Sequence, residues 1–124
     1  LAEIDFNFAL LSPLLSEEEQ IFLLQSELDS AQTDAQKSFA AYLLGRKLAE
    51  LHRHADALKL LSSLAPFANP EIEFHRQLLI FTAAQQTGRN ELAKAAAARA
   101  HKISETLSGS AAKQRFISER LRLY

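Results

Sequence analysis

The sequence predicts an all-α protein of about seven helices, from its composition, its cap residues and an internal repeat. The 124 residues include 22 Leu and 21 Ala, no Val, and only 3 Gly and 3 Pro. Leu and Ala are among the best helix formers, whereas strands favour Val and Ile, of which the chain has none and six. This excludes an all-β or α/β domain. The absence of Cys excludes a disulfide scaffold and a Cys-based zinc site. One domain of this length can bury roughly two-thirds of its unfolded surface without either.

Each helix is marked by its ends. Ala2 to about Leu11 forms the leading segment, stopped by Pro13. Ser16 with Glu19 is a capping box, and the acids at Glu17 to Glu19 suit the positive end of a helix dipole. The helix they open places Ile21, Leu24 and Leu28 on one face and ends near Ser30. Thr33 with Gln36 is a second capping box, opening a helix to about Leu51 with Ala40, Leu44, Leu48 and Leu51 as its stripe. His52-Arg53-His54 is a tight connection, read as an exposed turn. A helix then runs from about Ala55 to Leu64, closed by Pro66. Asn69 as N-cap and Pro70 at the first helical position start the next, which reaches Gln86 before the Gly88 C-terminal cap. Asn90 to about Leu107 follows, broken by Ser108-Gly109-Ser110, and Ala111 to about Leu123 closes the series.

The helices pair into hairpins that repeat. Overlaying the second helix of each pair sets Ala57 on Ala93, 36 residues apart, a period typical of helical solenoids. The first unit reads Ala41-x2-Leu44-Gly45-x2-Leu48, then Ala57-x3-Leu61, with Pro70 beyond. The second reads Gln77-x2-Ile80-Phe81-x2-Ala84, then Ala93-x3-Ala97, with Gly88-Arg89 between its helices. These residues resemble the tetratricopeptide repeat (TPR) family, whose signature is W-x2-L-G-x2-Y, then A-x3-F, then Pro. Gly45, Ala57 and Ala93 lack bulk where two helices of a hairpin must approach closely.

The resemblance implies a right-handed superhelix of antiparallel hairpins forming one domain over residues 1–124. A weaker leading hairpin would occupy 1–30 and repeat hairpins 34–65 and 70–107. Residues 111–124 would form a capping helix or the start of another repeat. It also implies a concave groove, lined by the first helix of each hairpin, that receives a peptide or partner protein. At the matching positions stand Tyr42, Arg46 and Glu50, then His75, Leu79, Thr82 and Gln86. Phe39, Leu43 and Leu78 lie beside them as core candidates. TPR co-chaperones that grip a C-terminal carboxylate use Lys, Asn and Arg there, and this chain does not. By analogy the chain is a segment of a larger bacterial-type signalling, regulatory or envelope protein. The alternative is a helical bundle that self-associates through apolar termini: Phe6, Phe8, Leu10 and Leu11 at one end, Phe116, Leu121, Leu123 and Tyr124 at the other.

Chemistry is not expected. His52 and His54, two apart, point to different faces of a helix and lack further ligands nearby, so neither a metal nor a cofactor is expected. No phosphate-binding glycine loop or G-x-S-x-G elbow is present. Ser16, Ser30, Ser108 and Ser110 sit at caps and loops.

Net charge is −1, which does not suggest a nucleic-acid binder. The balance conceals a polarity, however. Residues 1–36 hold eight acids and no Lys or Arg, while 37–124 hold all 14 basic residues and seven acids. The basic Lys113, Arg115, Arg120 and Arg122 are read as a solvated helix face. No apolar run approaches the ~20 residues that span a bilayer, so no membrane insertion is expected. No signal peptide is legible. Without a Met and beginning at Leu1, the chain is expected to be a processed product or an excised piece of a longer protein.

Overall fold

Reciprocal hydrogen bonds between residues three apart start the first two helices. In a computed structural model, which describes residues 15–107, the Glu19 N–H donates to Ser16 Oγ at 3.2 Å and the Ser16 N–H donates to Glu19 Oε1 at 3.2 Å. Helix α1 follows from Glu17 to Ser30. Thr33 and Gln36 make the same reciprocal pair at 3.1 and 3.3 Å, opening α2, Asp34–Glu50. Helix α3 spans His54–Ser62, α4 Pro70–Gln86 and α5 Asn90–Thr106. Asn69 Oδ1 accepts from the Glu71 and Ile72 N–H groups, so α4 begins at the expected cap with Pro70 at its first position. Among the described residues there are five helices and no strand. The expected helices Ala2–Leu11 and Ala111–Leu123, and the apolar ends around Phe6 and Phe116, lie outside those residues.

Helix α3 ends two residues before the expected Leu64. Ser62 and Ser63 turn their hydroxyls back onto the Lys59 and Leu60 carbonyls, at 3.5 and 2.7 Å, and Pro66 disfavours helical backbone before it. The His52–His54 connection is also less open than a free turn. His52 is exposed, but Arg53 and His54 are half-buried, and His54 is already the first residue of α3. The expected stripe of α2 is buried at Ala40, Leu44 and Leu48, while Leu51 is its half-buried C-cap.

The chain divides into two compact units, with the boundary between Leu64 and Ala65. In the first, α2 packs against both α1 and α3. That central position explains why α2 is buried at every residue from Ala40 to Gly45, since a helix covered on two sides has no solvated face there. Leu24 of α1 and Ala57, Leu58 and Leu61 of α3 complete the buried set. In the second unit α4 packs against α5. Helix α5 turns inward a stripe of small residues, Ala93, Ala96, Ala100 and Ser104, which lets the two axes come close. Phe74, Leu78, Ala100 and Leu107 form a core cluster with Ile103 beside it. Fully burying Phe74 alone is worth about 1.5–3 kcal/mol.

Candidate functional site

The two hairpin turns are built alike. At the end of α2 the His52 N–H donates to the Ala49 carbonyl at 3.0 Å and the Arg53 N–H to Leu48 at 2.8 Å. At the end of α4 the Gly88 N–H donates to Gln85 at 3.2 Å and the Arg89 N–H to Ala84 at 2.8 Å. Both are Schellman closures, and each needs one residue in the left-handed region: His52 at φ 61° and Gly88 at φ 76°. Each next helix then begins with the same bond at 3.0 Å, Ala57 N–H to Arg53 and Ala93 N–H to Arg89. Every partner in one turn lies 36 residues from its counterpart in the other.

The expected groove residues fall into one row per unit. On α2, Phe39 and Tyr42 stack with ring centroids 6.0 Å apart, and the Arg46 guanidinium stands 5.9 Å from the Tyr42 centroid. Arg46 Nε lies 3.9 Å from Glu50 Oε1, and Lys47 Nζ lies 2.8 Å from Glu50 Oε2. Spacings of three and four place these groups on one face. Tyr42 is buried, so within the row the solvent meets Arg46 and Glu50 rather than the phenol ring. The cation–π contact with Tyr42 and the ion pair with Glu50 hold Arg46 in place, with about 0.5 kcal/mol expected from each at such exposure. A guanidinium so held presents a planar fork suited to a partner's carboxylate.

On α4, His75, Leu79, Thr82 and Gln86 recur at four, three and four residues and share a face. The first three are half-buried and Gln86 is exposed. Thr82 Oγ1 donates to the Leu78 carbonyl at 3.1 Å, so its hydroxyl proton is used within the helix and its oxygen remains an acceptor.

Two features escaped the sequence reading. The first is a buried ionic knot in the second unit. Glu73 Oε1 accepts from the Phe67 N–H at 3.0 Å and Arg76 Nε at 2.8 Å, and Oε2 accepts from Arg76 Nη2 at 2.7 Å and Gln77 Nε2 at 2.8 Å. Burial pushes the Glu73 carboxyl up, but hydrogen bonds from Arg76, Gln77 and Phe67, with the Arg76 charge, outweigh it and hold the group below the ordinary 4.5. Four donors saturate a carboxylate, so Glu73 has no site left for a substrate proton, and its role is to fasten the chain before α4. Gln77 Oε1 is buried without a hydrogen-bond partner, as is His54 Nδ1 in the first unit. The signal was present as Glu73, Arg76 and Gln77 at spacings of three and four, but a solvated pair reads identically.

The second is the exposed Phe22, beside Leu23. Ile21 to Leu24 is a run of four apolar residues spanning most of a helix circumference, so one face could not bury them all. Elsewhere in the first unit an Arg53 Nη2–Glu18 Oε1 ion pair joins the hairpin turn to α1.

Among the described residues no group of three or more His, Asp or Glu side chains is placed to hold a metal ion, and no helix is long and apolar enough to cross a membrane. No protein-family model, curated protein or solved structure matches the chain.

Proposed function

We propose that the chain is a non-catalytic, TPR-like interaction module that binds a peptide or partner protein through the first helix of each hairpin. The observation that carries this reading is the duplicated turn. The same Schellman closure and the same helix start recur at a spacing of 36 residues. Repetition of a supersecondary unit, rather than one irregular bundle, is what a helical-repeat protein requires. The rows fit the role. Arg46 and Glu50 on α2, and His75, Leu79, Thr82 and Gln86 on α4, mix donors, acceptors and an aliphatic group as a peptide surface does. By the same analogy the module belongs to a larger signalling, regulatory or envelope protein of bacterial type.

The test is capture of a partner by the immobilised chain, repeated with Arg46→Glu and with Thr82→Glu. Both substitutions lie on partly exposed positions and should leave helix content unchanged by circular dichroism. Loss of affinity by about tenfold or more is expected for each. Capture that is indifferent to both variants overturns the groove.

A further inference from the structure

Helix α1 carries apolar residues on two faces. Leu24 is buried and Ile21 and Leu28 are half-buried, which makes a single inward stripe at spacings of three and four. Phe22 lies off that stripe and is 69% exposed, with Leu23 at 36% beside it. Together with Leu15, Ile21, Glu18 and Glu19 they line an open, shallow cleft. A lone exposed phenyl ring is ordinary, but here the ring sits in a cleft whose own charged lining residues, Glu18 and Glu19, are acidic, Glu18 being paired with Arg53 from the hairpin turn.

All five ionised side chains of α1, Glu17, Glu18, Glu19, Glu27 and Asp29, are acidic. The first three suit the positive end of the helix. Glu27 and Asp29 do not. They stand in the last turn, where carbonyls already carry partial negative charge and no basic residue compensates. Asp29 receives a hydrogen bond from the Gln25 amide at 3.0 Å, which leaves its charge in place. Leu23 and Glu27 are four residues apart, and Phe22 and Asp29 seven, so each apolar group shares a face with one of these acids.

We infer that the outer face of α1 is a docking surface for a cationic amphipathic helix of a partner protein. Its apolar side chains cover Phe22 and Leu23, and its Lys or Arg side chains pair with Glu27 and Asp29. Charge complementarity selects this occupant. A symmetric pairing of two copies through α1 sets acids against acids, and an anionic membrane or a nucleic acid is repelled in the same way. The surface shares no residue with the hairpin rows and does not depend on them.

The probe is a synthetic, fluorescein-labelled helical peptide of about 14 residues, roughly 21 Å long and so matched to α1, with Leu on one face and Lys on the other. A counterpart carrying Glu for Lys is the control. Fluorescence anisotropy with the full chain should show binding of the Lys peptide and none of the Glu peptide. Phe22→Ser with Leu23→Ser should weaken binding by about tenfold or more, and Glu27→Lys with Asp29→Lys likewise. The second pair should also raise the melting temperature, because Lys suits the end of the helix, which separates lost binding from lost folding. Binding unchanged by the Phe22/Leu23 pair is charge attraction alone and overturns the proposal. A concentration-dependent dimer in sedimentation velocity that Phe22→Ser abolishes assigns the face to a second copy and also overturns it. Failure of the Arg46 test leaves all of these outcomes readable.

Discussion

Gly45 occupies the interior of α2, where glycine costs about 1 kcal/mol relative to Ala. A Cβ built there would lie 2.6 Å from Leu61 Cγ and Cδ2, and Leu61 is itself fully buried with no room to retreat. Contact therefore outweighs propensity. Gly45→Ala should destabilise the chain by about 1–2 kcal/mol in urea unfolding, as overpacking exceeds the helix gain. A second change, Leu61→Ala, should be milder in that background than alone. A Gly45→Ala protein more stable than the parent would show that α2 and α3 can separate freely. The sequence marked Gly45 as a close-approach position, but its partner, sixteen residues on, followed only from how α2 and α3 pack. Thirty-six residues along, Phe81 and Ala97 stand at the equivalent positions with the sizes reversed.

At the scale of the element, the hairpin turn shows a local rule kept once and broken once. A Schellman closure places its C′ residue in the left-handed region, which glycine enters at little cost and other L-residues at roughly 1–2 kcal/mol. Gly88 keeps the rule, and nothing within 4 Å would obstruct a side chain there, so backbone conformation alone selects the glycine. His52 breaks it at φ 61°. His52→Gly should accordingly stabilise the chain by roughly 1 kcal/mol, and Gly88→Ala should destabilise it by a similar amount, both in thermal or urea unfolding. Equal and opposite shifts would support one turn geometry at both places. A loss of stability in His52→Gly would mean that the His52–His54 ring contact, at 5.7 Å between centroids, outweighs the strain. The second turn was legible because Gly is a stop signal. The first was legible only as a short connection, since His carries no such signal.

For the whole molecule, one buried group among the described residues, Glu73, ties stability to acid. Glu73 titrates below 4.5 in the folded chain, so its contribution to stability is complete above that value. It is lost as pH falls through the lower, folded value, because the unfolded state then binds the proton more readily. Glu73→Gln should remove this component from a plot of unfolding free energy against pH. It should also cost about 3–5 kcal/mol at neutral pH by leaving Arg76 buried without its counter-charge. A variant as stable as the parent, with the same acid profile, would refute the structural role of the knot. The segregated charge, acids alone up to residue 36 and every base beyond, acts at this scale too, since it leaves α1 with acidic side chains only, of which Glu18 meets Arg53 from the hairpin turn.

The sequence by itself determined the all-α class and the cap residues that open α1, α2 and α4. Those caps depend on partners three or four residues apart, such as Ser16 with Glu19, Thr33 with Gln36 and Asn69 with Ile72, and such neighbours are always within reach of a helix end. Tertiary structure alone decided which side chains meet water. Tyr42 stood as a groove residue and is buried; Glu73 and Arg76, three apart on α4, form a closed, buried knot; Phe22, off the stripe of Ile21, Leu24 and Leu28, is exposed. Burial is set by segments far away along the chain, and the helical pattern of one segment does not record which of its faces another will cover.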